Sequence, residues 1–258
     1  MDHFSPDDLR HVFFELYRAG WDAILIGGQA VNVWAARYQL KNAEWDKLRP
    51  FTSRDLDYYG GLFEARRAMQ ILNARGKLNT GMEPSPNAGL LSVTLPGGQS
   101  LIVDILTGVY GISSAEVERT AIRLAGTESL TGLTIRVIHP LLLLEGKIAA
   151  FHGLPQSDRQ DGKHLMILIL VLQAWLREQL GKPRAVFRSI ERLASDALSP
   201  SGLHASMHEI DLLHGIPLDS MQVLPQYTMF FQERWPQLLA RIGEKRIRHR
   251  DSLRGLDS

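Results

Sequence analysis

The feature that most constrains the fold is a change in hydrophobic pattern at Pro140. Before Pro140, segments with helical spacing alternate with short apolar runs typical of strands. After Pro140, the long apolar segments all repeat with helical spacing. The sequence therefore predicts an α+β protein with a small mixed sheet flanked by helices over residues 1–139, followed by a helical domain over residues 140–258.

Composition excludes several classes of function. The chain has 258 residues, of which 45% are apolar, so it can form a sizeable core. Its 29 Lys and Arg residues against 28 Asp and Glu residues leave a net charge of +1, so no global field attracts nucleic acid or an acidic membrane. The absence of cysteine excludes disulfides, thiolate catalysis and cysteine-ligated metals.

Neither the N-terminal segment nor the most apolar segment of the chain indicates export or a membrane span. The first ten residues, MDHFSPDDLR, are acidic and polar, whereas a secretory signal has a positive start and an apolar run. The most apolar run, at residues 165–176, is much shorter than the roughly 20 residues of a membrane-spanning helix. We therefore expect a cytoplasmic protein with no targeting segment and no membrane partner.

Glycine, proline and polar residues separate the predicted elements. In the first domain these are a helix at 7–20, a strand at 22–26 ending in Gly27-Gly28, a helix at 31–38, a polar connection at 41–53, a strand at 54–59, a helix at 62–76, a Pro-Gly-Gly hairpin of two strands at 89–106 and a strand at 133–138. In the second domain, helices are predicted at 141–153, 161–181, 185–198 and 228–250.

Two aspartates stand one residue apart in the predicted strand SRDLDYYG. Side chains two apart in a strand share a face, so Asp55 and Asp57 should project together, with Leu56 toward the core. Their negative charges repel, and a divalent cation that bridges both carboxylates relieves the repulsion. Mg²⁺ suits such an all-oxygen site, because it binds through carboxylates together with substrate phosphates.

A third carboxylate, Asp104, interrupts the apolar run LIVDIL. A carboxylate in a buried strand is costly unless it is paired or metal-bound. If its strand lies beside that of Asp55, three carboxylates converge, as two-metal phosphoryl transfer requires. The Gly27-Gly28 turn then offers a phosphate cradle, because glycine permits close backbone approach and the following helix points free N–H groups at an anion.

Each of these features also has a structural explanation. Paired aspartates often mark a solvated strand end, and Asp104 could pair with an arginine. The Gly-Gly turn alone matches neither the Walker pattern nor the dinucleotide fingerprint. Only their order and spacing together favour the catalytic interpretation.

That order resembles the nucleotidyltransferase superfamily with the polymerase-β-like palm. The resemblance rests on LIGGQAVNVWAARY, TSRDLDYYG and LIVDIL, which lie within residues 25–106. Within the superfamily, the chain is most similar to the AbiEii-type abortive-infection toxins, whose signature adds a lysine helix and an Arg/Lys-Asp helix start. The segment EGKIAAFHGLPQSDRQDGKHLMIL supplies Lys147, Arg159 and Asp161 at the matching places.

The resemblance implies a role for each matching residue. Gly27, Gly28 and Ser53 would hold a nucleoside triphosphate (NTP), and Lys147 would contact its phosphates. Asp161 would support the site from the helical domain. The carboxylates that would bind Mg²⁺ are Asp55, Asp57 and Asp104.

The chain departs from the toxin pattern in two places. His164 stands where such toxins commonly have a second acidic residue, and the segment between Arg37 and Ser53 is long. A changed acceptor or specificity is consistent with both departures. Lys147 has its own alternative, because a lysine after four leucines can extend from a helix face toward water.

The leading hypothesis is a Mg²⁺-dependent nucleotidyltransferase that moves a nucleoside monophosphate from an NTP to a hydroxyl acceptor. The acceptor would be a tRNA 3′ end or a protein, as for the toxin of a toxin–antitoxin system with a cognate antitoxin, or a small molecule of the antibiotic type. The alternatives are a catalytically silent nucleotide-binding or antitoxin-partner module and a purely structural domain. Three histidines, His152, His164 and His208, are interpreted as satisfied or solvated rather than catalytic. The segment HEIDLLH lacks zinc-protease spacing, so the three are not taken as metal ligands.

Overall fold

The computed structural model describes residues 2–39, 43–81, 85–157 and 159–254. The chain divides into two compact units, Met1–Gly146 and Lys147–Ser258. The sequence predicts a boundary between residues 139 and 140, whereas the division in the structure falls inside a continuous helix, Pro140–Gly153. Each unit is described by itself below.

The first unit is built on one seven-stranded mixed sheet, which confirms the predicted class of fold. The strands follow the order β3-β4-β5-β2-β1-β7-β6. The β1–β7 and β2–β5 pairs are parallel, and the other neighbours are antiparallel. The strands are β1 (Ile24–Leu25), β2 (Asp55–Tyr59), β3 (Arg75–Leu78), β4 (Asn87–Thr94), β5 (Ser100–Leu106), β6 (Ile122–Ala125) and β7 (Thr134–Val137).

The described residues of this unit form five α-helices, and a sixth crosses the division between the units. Helix α2 begins at Gly27 itself, four residues earlier than the apolar spacing at Val31 predicts. The helices are α1 (Arg10–Arg18), α2 (Gly27–Tyr38), α3 (Ala43–Lys47), α4 (Leu62–Ile71), α5 (Ser114–Thr120) and α6 (Pro140–Gly153).

The second unit is helical, as predicted. Ten of the 19 residues of helix α7 are buried, and eight of these ten are apolar. The helices are α7 (Asp161–Gln179), α8 (Pro183–Leu198), α9 (Pro200–Met207), α10 (Leu218–Gln222) and α11 (Trp235–Arg254), with a π-helical turn at Phe230–Arg234. Within the described residues, every helix is too short or too polar to cross a bilayer.

Three local predictions were wrong. The polar connection at 41–53 contains α3, because Trp45 is fully buried and anchors a short helix. The helix predicted at 62–76 ends at Ile71, and the chain continues into edge strand β3, which pairs with β4. The second unit also contains α9 and α10, short helices whose apolar spacing is too brief to be detected in the sequence.

Candidate metal centre

Three aspartates meet on one face of the sheet. Strands β2 and β5 run parallel, and their register places Asp57 directly beside Asp104. Asp55 lies one pleat along β2, on the same face as Asp57. One carboxylate oxygen from each residue lies within 4.8 Å of the others. In the described part of the chain, this is the one group of three His, Cys, Asp or Glu side chains whose ligand atoms approach so closely.

Alternating burial in the two strands turns all three carboxylates away from the core. In β2, Leu56 and Tyr58 are buried while both aspartates are half-buried. In β5, Val103 and Ile105 are fully buried and Asp104 faces the half-open side. The LIVDIL segment was predicted to be buried, but only one of its faces is.

The electrostatics of the cluster favour a cation. The pKa of Asp104 is raised to about 6, first by burial and second by the charge of Asp55, while a hydrogen bond from Asn87 opposes the rise. The Asn87 amide Nδ2 donates to Asp104 Oδ1 at 3.3 Å. The contribution of Asp55 to this shift shows that two carboxylates of the cluster repel each other, and a cation bound between them would relieve the repulsion.

Asn87 was not identified from the sequence. It lies at the start of β4, at an irregularity in the β4–β5 register between Asn87 and Gly89. Its approach to Asp104 depends on that register, which no local sequence signal determines. Asn87 therefore belongs to the site through tertiary structure alone.

Ser53 orients Asp55. The Ser53 hydroxyl donates to Asp55 Oδ1 at 3.1 Å, and the residue itself is buried. Its backbone is held by two hydrogen bonds with Phe4, at 2.8 and 2.9 Å. In this arrangement the predicted triphosphate ligand Ser53 positions a carboxylate.

Gly27 is pressed against Asp57. It has a φ of +66°, and a Cβ atom at this position would lie 1.8 Å from Asp57 Oδ2. The neighbouring Ile26 amide donates to the Asp57 carbonyl at 2.9 Å. Only glycine fits this contact and this backbone conformation. Gly28 follows, buried in the first turn of α2, so the start of a helix lies beside the carboxylates.

The predicted Lys147, Arg159 and Asp161 also come together, within the second unit. Lys147 Nζ lies 2.8 Å from Asp161 Oδ1, and Arg159 Nε lies 2.5 Å from Asp161 Oδ2. Burial alone would raise the pKa of Asp161, but the charge of Lys147 and hydrogen bonds from both cations outweigh it and lower the pKa. Lys147 is therefore ion-paired and only 12% exposed, which contradicts the alternative that it extends freely into water.

His164 lies one helical turn after Asp161 on α7. It is buried, and neither of its ring nitrogens has a hydrogen-bond partner. Burial lowers the pKa of His164 to about 3, and the charge of Lys147 contributes to the lowering. The side chain is therefore a neutral core group, and the expectation that His164 is satisfied or solvated was wrong.

Comparisons of the chain with protein-family models, with curated proteins and with solved structures found no match.

Proposed function

We propose that the protein is a Mg²⁺-dependent nucleotidyltransferase that transfers a nucleoside monophosphate from an NTP to a hydroxyl acceptor and releases pyrophosphate. The observation that carries the proposal is the convergence of Asp55, Asp57 and Asp104, with ligand oxygens within 4.8 Å, beside the start of α2. The order of these features along the chain supports it through the resemblance to the polymerase-β-like palm.

The donor set fits Mg²⁺. All three donors are carboxylate oxygens, and the charge of Asp55 contributes to the raised pKa of Asp104. A hard dication that prefers oxygen ligands matches this chemistry better than a metal that prefers nitrogen or sulfur. When bound, Mg²⁺ neutralises phosphate charge and increases the acidity of an attacking hydroxyl.

The protein's own groups have distinct tasks in this proposal. Ser53 fixes the orientation of the Asp55 carboxylate, and Asn87 does the same for Asp104. Gly27 leaves room for Asp57 and brings the backbone N–H groups of α2 toward the site, where they would bind triphosphate oxygens. Lys147 and Asp161 remain predicted contributors from the second unit, on the resemblance alone.

The test is transfer of labelled nucleotide by purified protein with Mg²⁺, each of the four NTPs, and tRNA, total protein or aminoglycosides as acceptors. Replacing Asp57 or Asp104 by Asn removes a carboxylate with almost no change in volume. We expect either variant to lose at least about 100-fold in transfer rate, since each group acts electrostatically on the reaction. Asp251→Asn, an exposed aspartate on α11, is the matched control and should retain full activity.

The screen also separates the alternatives. Mg²⁺-dependent NTP binding without transfer to any acceptor would favour the silent nucleotide-binding or antitoxin-partner module. Absence of Mg²⁺-dependent NTP binding in a thermal-shift assay would indicate a structural domain. The acceptor that becomes labelled decides whether the enzyme acts as a toxin on tRNA or protein, or modifies a small molecule.

A further inference from the structure

A cluster of histidines lies in the second unit, apart from the residues of the proposed reaction. His152 on α6 meets His204 on α9, with ring centroids 5.2 Å apart. His204 in turn meets His208, directly after α9, with ring centroids 4.8 Å apart. A fourth histidine, His249 on α11, is near enough for its charge to act on His204.

The cluster has an apolar floor and an open side. The Phe151 ring lies 5.3 Å from the rings of both His204 and His208. His152 and His208 are exposed, whereas His204 is half-buried between them. Burial lowers the pKa of His204, and the neighbouring imidazoles lower it further, which favours the neutral form that binds metals.

The two ring separations around His204 match those of imidazoles around one metal ion. A zinc–nitrogen bond of about 2.0–2.1 Å places each ring centre about 3.2 Å from the metal, so tetrahedral directions separate the centres by about 5 Å. The observed separations of 5.2 and 4.8 Å lie on either side of this value. Nitrogen-only donors select Zn²⁺, Co²⁺, Ni²⁺ or Cu²⁺ over Mg²⁺.

We propose that His152, His204 and His208 form a second metal site, for a first-row transition-metal dication such as Zn²⁺, with a fourth position open to solvent. The His204 ring contacts the rings of both His152 and His208, and the nitrogens of the three do not converge as closely as the oxygens of the acidic cluster. Rotation about the Cβ–Cγ bonds, a soft torsion, turns the nitrogens inward. Two of the three side chains are exposed and have room for this rotation.

A metal at this site would join α6 to α9. Binding to the folded state alone stabilises it through mass action, and at a free Zn²⁺ concentration about 100 times Kd we expect Tm to rise by roughly 5 °C. The site is independent of the proposed transfer reaction. Its test needs no NTP and no acceptor.

The experiment uses untagged, full-length protein freed of metal by chelation. Zn²⁺ binding is measured by calorimetry, and Co²⁺ provides a visible spectrum whose intensity reports tetrahedral coordination. We expect His204→Gln to weaken Zn²⁺ binding at least 10- to 100-fold, since even the outer-shell partners of ligands contribute about that much. A double variant, His152→Gln with His208→Gln, changes only exposed side chains and should weaken Zn²⁺ binding to the same extent. It provides the test if His204→Gln does not fold.

Two controls identify the site. His214→Gln changes an exposed histidine of the same unit outside the cluster, and it should bind Zn²⁺ like the wild type. Asp104→Asn disables the acidic cluster and should leave the histidine site intact. The proposal is overturned if the histidine variants bind Zn²⁺ as tightly as the wild type, or if Asp104→Asn abolishes the tetrahedral Co²⁺ spectrum.

Discussion

Gly27 is the residue on which the acidic cluster most depends. Its missing side chain is the space that the Asp57 carboxylate occupies, since a Cβ there would lie 1.8 Å from Oδ2. We predict that Gly27→Ala displaces Asp57 and reduces Mg²⁺-dependent nucleotide transfer by at least about 100-fold. The measurement is the transfer rate, together with the Mg²⁺ concentration that gives half of the maximal rate.

Alanine variants of two other glycines are controls that distinguish the displacement of Asp57 from the effect of backbone strain. Gly98 has a φ of +81° with open space around its Cβ position, so Gly98→Ala introduces strain alone. Gly243 lies in α11 with neither a clash nor a positive φ, so Gly243→Ala introduces neither effect. If Gly98→Ala loses as much activity as Gly27→Ala, contact with Asp57 is not the cause.

His164 predicts a pH dependence of stability. Burial lowers its folded-state pKa to about 3 from an ordinary value of 6.5, so between these values the unfolded chain binds a proton that the folded chain excludes. The free energy of unfolding should therefore fall as pH decreases from 6.5 toward 3. The contribution of His164 should be roughly 2 kcal/mol between about pH 6.5 and pH 4.5.

The variant His164→Leu should remove this part of the slope, because leucine takes up no proton. Urea unfolding at a series of pH values measures the difference from the wild type. His11→Leu, which changes an exposed histidine of α1, is the control and should keep the wild-type slope. A parallel pH profile for His164→Leu and the wild type would show that His164 does not exclude a proton in the folded state.

At the scale of elements, a buried carboxylate links the middle of α6 to the start of α7. Asp161 is 1% exposed and accepts hydrogen bonds from Lys147 of α6 and from Arg159, which precedes α7. Its environment suits a charged group only while both cations are present. The charges of Lys147, Arg159 and Asp161 therefore depend on one another.

We predict that Asp161→Asn lowers the free energy of unfolding by about 3 kcal/mol, because it leaves the buried Lys147 ammonium without its counter-charge. Replacing the two buried partners, as in Lys147→Met with Asp161→Leu, should recover much of this loss, since the cation that remains, Arg159, is 40% exposed and can be solvated. Urea denaturation of the two variants checks both statements. A loss below about 1 kcal/mol for Asp161→Asn would contradict the buried ion pair.

At the scale of the whole molecule, the division between the units is displaced from the pattern change in the sequence. The first unit extends to Gly146 and so includes the first turns of α6. Those turns carry four buried leucines, Leu141, Leu142, Leu143 and Leu144. A fragment that ends at residue 139 lacks all four.

We predict that a fragment of residues 1–153 unfolds at a higher urea concentration than a fragment of residues 1–139. Even one buried leucine contributes about 2 kcal/mol, so the difference should be large. Circular dichroism during urea titration provides the measurement. Equal midpoints would show that these leucines do not stabilise the first unit.

The sequence by itself determined the elements whose signals are local. Strict alternation around Leu56 predicts β2, the Pro-Gly-Gly turn predicts the β4–β5 hairpin, and the long helical spacing after Pro140 predicts the helical unit. These signals lie within one element or one turn. Side-chain period and turn chemistry are sufficient to produce them.

Tertiary structure alone decided which residues meet. The register of β2 against β5 places Asp57 beside Asp104, and the register of β4 adds Asn87. The histidine cluster joins His152 of α6 to His204 and His208, which are four residues apart but distant from His152 in the sequence. The physical reason is that strand register and helix packing minimise the exposed apolar surface over a whole unit. The positions of the polar side chains follow from that packing, which no local segment determines.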